Sequence, residues 1–280
     1  MHEKKEKIHI SVLIVHYNTY GLLYQCLNSI KDSYGHLKIE IIIIDNTPAS
    51  QQKKLSALKK VFTDIDLKLI DPKKNLGYAG GVNLGIKYCR GEFIAIINPD
   101  VSLLDGCLST LYRFTKEKVT AGIVAPKLIS NEGTVHPSCR TFPGPFVLFY
   151  KRLPILKDLP FIERRVKRHM MVNFDHNHET KVDWISGAFM FARREYIAEI
   201  GPMDERFFLY MEDVDWCRRF WQGKREVWYY PKAKALHGAQ HLSTQFGLLG
   251  FFRKISWIHL VSYLKYFIKY RRPISRKTFK

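Results

Sequence analysis

The sequence predicts an α/β protein built on a mostly parallel central sheet, with a basic helical tail. Three observations carry this. Strand-like apolar runs alternate with helix-like segments through the first hundred residues. The runs are continuously apolar, as strands buried on both faces must be. Their carboxyl ends turn polar together, and in open α/β sheets that edge is where ligands gather.

The elements follow in order. "IHISVLIVHY" is the first buried strand, and "LLYQCLNSIKDS" has helical spacing. "KIEIIIIDN" is the second strand, "QQKKLSALKKVF" an amphipathic helix and "DLKLIDP" a short third strand. "GGVNLGIKYCR" is a helix entered through glycines, and "EFIAIINPD" is the fourth strand. This βαβαβαβ order implies right-handed crossovers. The stretch 107–180 reads as less regular, apart from a strand at "AGIVAPKLIS". Its part at 142–180, with four prolines and clustered bases, reads as a variable insertion facing acceptor or membrane. "VDWISGAFMFARREYIAEIG" is then strand and helix, "FFLYMEDVDWCRRFWQGK" is helical from Glu212, and "EVWYYPKAKALHG" is a late strand. The expected division is a domain at 1–245 and a tail at 246–280.

Of 280 residues, 46% are hydrophobic, enough for a sizeable core, so global disorder is excluded. Lys and Arg number 45 against 26 Asp and Glu, a net charge of +19 that favours anionic partners. Nine of those bases and no acid lie in residues 246–280. Five scattered cysteines without a CxxC pair argue against a disulfide framework or structural zinc and fit a reducing setting. The charged start "MHEKKEKIHI" has no signal-peptide character, and no run approaches the roughly 18 apolar residues of a membrane span.

Four constellations could carry chemistry. Asn98-Pro99-Asp100 ends a strand, with Pro99 stopping the ladder beside a carboxylate suited to Mg2+ or Mn2+; an Asp opening a turn reads equally well. "NLGYAGGVNLG" places glycines 77, 80 and 81 before a helix, either to bring N–H groups to phosphate or to pack the helix tightly. "YMEDVDW" offers Glu212, Asp213 and Asp215, as a general base with its neighbour or as an acidic first turn favoured by the helix dipole. His237, with His241 as an equal candidate, could complete a metal site or merely pack. In the tail, helical geometry puts Lys254, Lys265, Lys269 and Arg272 on one arc around Ser262, with much of the rest apolar. That pattern fits an interfacial helix with its basic edge toward anionic headgroups, or a helix packed on the domain with a solvated basic face.

Seven stretches, "SVLIVHYN", "IIIIDN", "NLGYAGGVNLG", "INPDVSL", "WISGAFMFARR", "ERFFLYMEDVDWCRR" and "HGAQHLS", together resemble the inverting family 2 glycosyltransferases of the GT-A fold. Within that family the sequence is most similar to bacterial rhamnosyltransferases of the O-antigen and cell-wall type. The resemblance implies a GT-A-type, Rossmann-like nucleotide-binding domain over most of the chain, with site roles at matching positions. Tyr17 and Asn18 would border the nucleotide, and Asp45 would bond the base. Asn75 and Gly77 would lie along the donor. Asp100 would hold the divalent metal as the last acid of the family's DxD motif, with His237 as a further ligand. Asp213 would deprotonate the acceptor hydroxyl beside Glu212. Asn98 departs from the first Asp of that motif, in the form that rhamnosyltransferase-like members carry, and removes one negative charge near the metal.

The expected function is transfer of a sugar, best matched by rhamnose from dTDP-rhamnose, onto a lipid-linked glycan during cell-surface polysaccharide synthesis. The expected location is the cytoplasmic face of the cell membrane, held peripherally through 246–280. The alternatives are the same fold with a UDP-hexose or UDP-furanose donor, and a non-catalytic glycan-binding relative. Nucleic acid is an unexpected partner, because the bases sit among aromatic and apolar residues and no nucleic-acid motif is present.

Overall fold

The computed structural model describes residues 7–47, 55, 57–144, 160–238 and 254–271. Four parallel strands form one half of the sheet: β1 (Ile10–His16), β2 (Ile39–Asp45), β3 (Asp66–Ile70) and β4 (Phe93–Ile97). They lie in the order β3-β2-β1-β4. The sheet continues through β10 (Phe189–Arg193), β6 (Ala121–Ile129), β11 (Glu226–His237) and β5 (Val101–Leu103), with β8 (Thr180–Lys181) against β11. Strand β10 runs antiparallel to both neighbours, and β11 runs parallel to β6 but antiparallel to β5 and β8. Six of these nine strands therefore share one direction, as a mostly parallel sheet requires. A separate ladder pairs β7 (Cys139–Arg140) with β9 (Trp184–Ile185).

The apolar runs are explained by two cores. In β1, Ile10, Val12 and Ile14 face one core, while Leu13 and Val15 face the other. Helices α1 (Tyr20–Ile30), α2 (Leu58–Val61) and α4 (Cys107–Glu117) cover the first. Helices α3 (Gly77–Ile86), α6 (Arg194–Ile200), α7 (Glu212–Gln222) and α8 (Lys254–Lys269) cover the second. Strand residues alternate sides, so both phases of the pattern must be apolar. Ser11 and Glu40, the polar exceptions in β1 and β2, bond each other at 2.7 Å, and Arg90 Nε donates to Glu40 at 2.8 Å.

Two expectations change. The stretch 107–180 is more regular than its composition implied: α4 presents Leu108, Leu111 and Phe114 at helical spacing, and α5 (Pro160–Met170) lies in the insertion. Of the helix expected at 51–62, the described part is α2; residues 51–54 and 56 lie outside the described residues. Strand β11 passes Pro231 through a register shift between Tyr230 and Lys234, the irregularity a proline inside a sheet demands.

Helix α8 corrects the reading of the tail. Of its basic arc, Lys265 and Lys269 reach back to the domain. Lys269 Nζ lies 2.6 Å from Asp215 and 2.7 Å from Asp204, Lys265 Nζ donates to the Arg206 carbonyl at 2.8 Å, and Ser262 Oγ donates to the Leu209 carbonyl at 2.9 Å. The outward stripe is instead apolar: Trp257, Val261, Leu264 and Ile268, spaced for one helix face. The inward face packs Tyr263 and Tyr266 into the second core, and buried Asp215 with Asp204 pairs Lys269 beside them. Arg272 and His241 lie outside the described residues.

Candidate active site

The carboxyl ends of β1, β2 and β4 and the start of α7 converge with the end of β11. At the tip of β1, Tyr17 is exposed, and Asn18 takes a left-handed turn at φ 50°. The Asn18 N–H donates to Thr47 Oγ1 at 2.9 Å. Asp45 is buried; its Oδ1 lies 3.1 Å from His16 Nδ1 and accepts the Thr47 N–H at 3.0 Å. Burial lowers the His16 pKa despite that carboxylate, so the imidazole stays neutral near pH 7. Asp45 thus serves at least to tie β1 to the loop after β2.

The glycine-rich stretch resolves toward tight packing. The Gly77 N–H is taken by Asn75 Oδ1 at 2.8 Å, and the Tyr78 N–H by the Phe208 carbonyl at 2.8 Å. Gly77 has φ 73°, and a Cβ there would lie 2.3 Å from the Phe208 oxygen. A Cβ on Gly85 would lie 2.1 Å from Leu13. Glycine is needed at these two positions for conformation and close approach, respectively. Gly77 has no free N–H for a phosphate; Asn75 is exposed at the same mouth.

Asp100 and His237 are brought together. Val101 pairs with His237 across β5 and β11, and His237 Nε2 sits 3.4 Å from Asp100 Oδ2. Asp100 Oδ1 is buried without a hydrogen-bond partner. A buried carboxylate oxygen left unpaired is costly, and a cation removes the cost. The pair therefore fits a divalent metal completed by donor oxygens. Among the described residues no cluster of three or more His, Cys, Asp or Glu side chains could enclose an ion alone. Asn98 lies at the same tip, its backbone N–H donating to Ala188 at 2.9 Å.

The acids of α7 divide. Asp215 turns away: it is fully buried and binds Arg219 at 2.9 Å, Tyr270 at 2.8 Å and Lys269. Glu212 and Asp213 turn to the site. Asp213 Oδ2 accepts the Gly187 N–H at 3.0 Å, and its Oδ1 accepts the Val214 N–H at 2.8 Å. Glu212 Oε2 is buried without a partner. Burial pushes both carboxyls up, but backbone N–H groups and the Arg140 charge restrain Asp213, whereas the Asp213 charge drives Glu212 higher still. Asp213 is the easier of the two to ionise and so the one available to take a proton, a division of roles set by environment.

Backbone strain marks the approach to these acids. Tyr210 and Met211 both have positive φ, at 68° and 72°. Such geometry costs about 1–2 kcal/mol per non-glycine residue. It is held by Ser262 of α8 on Leu209 and by the Asp215 N–H donating to the Met211 carbonyl at 2.9 Å.

Three residues emerge that sequence reasoning passed over. Tyr78 donates to the Gly187 carbonyl at 2.5 Å. Burial raises its phenol well above 10, and the charges of Glu212, Asp213 and Asp100 add to the rise. Gly187 serves both Tyr78 and Asp213, and a Cβ on it would sit 3.2 Å from the Tyr78 ring. Arg140 is the cation nearest in effect to Asp213. Tyr78 and Gly187 lie inside quoted motifs, and only their pairing was invisible.

Comparison with known proteins fits this geometry. The family model "Glycosyl transferase family 2" matches residues 11–201. The chain belongs to that family. Glu212, Asp213 and His237 lie beyond the matched stretch. The chain is 26% identical over 217 residues to a low-salt glycan biosynthesis hexosyltransferase of Haloferax volcanii, covering 75% of this chain and 61% of that one. It is 28% identical over 198 residues to the N-acetylglucosaminyl-diphospho-decaprenol L-rhamnosyltransferase of Mycobacterium tuberculosis, covering 63% and 60%. A rhamnosyltransferase of Escherichia coli is 24% identical, covering 72% and 74%. The chain thus spans about three fifths of the length of the first two relatives.

Among solved structures, GalNAc-T7 with UDP, GalNAc and Mn2+ superposes with a TM-score of 0.64 at 16% identity, covering 84% of this chain and 44% of that one. A mannosyltransferase of Pyrobaculum calidifontis with GDP-Man and Mn2+ gives 0.61 at 16%, covering 99% and 68%. At that identity the likeness concerns the fold, and the expected GT-A architecture is borne out.

Proposed function

We propose that this family 2 protein is an inverting, metal-dependent glycosyltransferase, with 1–245 as its catalytic domain and 246–280 as a membrane-facing tail. One observation carries the reading: the Asn98 N–H, two residues before Asp100, donates to the Ala188 carbonyl at 2.9 Å, and the adjoining Gly187 N–H donates to Asp213 at 3.0 Å, so a candidate metal-binding carboxylate and a buried base line one site. Asp213 takes the proton of the acceptor hydroxyl. Its two backbone N–H bonds fix the carboxylate, and burial raises its basicity toward neutral pH. Asp100 and His237 would hold Mg2+ or Mn2+, which when bound neutralises charge on the departing diphosphate. Tyr17, Asn18, Asp45, Asn75, Gly77 and Asn98 surround the donor, with Asp45 and Gly77 shaping the loops there. One displacement from the face opposite the leaving group inverts the anomeric centre.

The best donor is dTDP-rhamnose, supported by rhamnosyltransferases among the relatives, with a UDP sugar as the alternative. The acceptor is a lipid-linked glycan, the acceptor class named for the mycobacterial relative. The apolar stripe of α8 supports docking on a bilayer, with Trp257 53% and Ile268 76% exposed. No helix among the described residues is long and apolar enough to cross a membrane. The test offers dTDP-rhamnose, UDP-glucose, UDP-galactose, UDP-N-acetylglucosamine and GDP-mannose to purified protein, with and without metal and lipid extract. Nucleoside diphosphate release from one donor, raised by metal and lipid, is expected. No release and no donor binding by folded protein would refute the reading.

A further inference from the structure

We propose that Arg140, backed by Trp184, is a binding residue for an anionic group of the acceptor: the phosphate ester that joins a sugar to its lipid carrier. This rests on the transferase reading above. Arg140 and Trp184 face each other across β7 and β9, and the guanidinium carbon lies 5.3 Å from the indole centroid. The indole is itself fixed, its Nε1 donating to the Thr141 carbonyl at 2.8 Å. The ladder leads directly to the base, because the Ser186 N–H donates to the Ser138 carbonyl at 2.7 Å and the next residue is Gly187, which holds Asp213.

Among the described residues, Arg140 Nε is buried without a hydrogen-bond partner and the guanidinium forms no ion pair. Desolvation lowers its pKa, and Asp213 is the acid whose charge chiefly opposes this. A half-buried guanidinium without an ion pair is destabilising unless a partner arrives. An arriving anion would meet a planar fork of donors, the geometry that suits phosphate oxygens.

Position separates acceptor from donor. Arg140 stands on the ladder that leads to Gly187, the residue whose N–H holds Asp213, and so serves the side of the base, where the attacked hydroxyl lies. Helix α5 strengthens the match: it packs on β7, with the Thr141 N–H donating to the His169 carbonyl at 3.2 Å, and carries Arg164 and Arg168 along an open groove, beside Lys167 paired to Glu163 at 2.6 Å.

The test is calorimetric titration of a short-chain prenyl diphosphate into full-length protein, with the donor site saturated by UDP, dTDP and GDP plus magnesium. Arg140→Met should weaken that binding about ten- to hundredfold, the loss expected for a charge-assisted hydrogen bond. Arg140→Lys should recover part of it. Binding of a neutral prenyl glycoside and of the nucleoside diphosphates should be unchanged, as should the melting temperature; Arg140→Gln gives the same comparison should the Met variant unfold. Equal binding by wild type and Arg140→Met overturns the proposal, as does no binding by wild type. So does an equal loss toward the neutral glycoside or the nucleoside diphosphates. Failure of wild type to bind any nucleoside diphosphate would instead remove the transferase reading, in a separate arm of the same titration.

Discussion

The two acidic groups of this site are built on opposite terms. Asp100 stands beside an imidazole with one oxygen buried and unpartnered, while Asp213 has both oxygens occupied by backbone N–H groups. A carboxylate with an open, desolvated oxygen is made to receive a cation. A carboxylate held from both sides, in a place that disfavours its charge, is made to receive a proton. The same residue type thus takes two roles, and the surrounding backbone decides which.

Asp213→Asn is the sharpest way to break the contrast. Turnover should fall about 10²–10⁴-fold, the contribution of a general base, with donor affinity retained; steady-state kinetics and a donor titration check it. On the other side, Asp100→Asn or His237→Ala should weaken metal affinity or activity about 10–100-fold, read as a rightward shift of the Mn2+ activation curve.

A smaller effect falls on the support of the base. Lys269→Met removes one cation from buried Asp215 and from Asp204, leaving Arg219 and Tyr270 on the former. Thermal unfolding should show a loss of about 1–3 kcal/mol, the range for unpairing a buried polar group. Turnover should drop more than donor affinity, because α8 also holds the strained turn before Glu212.

The smallest effect is a pH dependence. The Glu212 carboxyl is pushed well above its ordinary 4.5 by burial and by Asp213. The folded state therefore binds that proton more tightly than the unfolded chain. Stability from this group is full below about 4.5 and is lost as pH rises toward the folded value. Glu212→Gln should be more stable than wild type at pH 8, and the advantage should vanish at pH 4. A constant difference across that range would contradict the buried-acid assignment.

The first half of the sheet was legible because a doubly covered parallel strand has no polar face to confuse its reading, as in β1 and β2. The start of α7 at Glu212 was legible for a similar reason, an acidic turn before a helical pattern. The direction of α8 was not. A helical wheel shows which residues share a face, yet which face is inward depends on the core that takes Tyr263 and Tyr266 and on Asp204 and Asp215, far away in sequence. Arg140 was missed for the same cause: a two-residue ladder leaves almost no periodic signal, and its worth comes from Trp184 and Asp213 across the fold.

The most direct test crosses the two carboxylates in one experiment. Donor affinity with and without Mn2+, and nucleoside diphosphate release, are measured for wild type, Asp100→Asn and Asp213→Asn. The account predicts that Asp100→Asn loses the metal-dependent part of donor affinity, while Asp213→Asn keeps it and loses release. Two variants that fail alike, in binding and in release, would contradict the division of labour on which the mechanism stands.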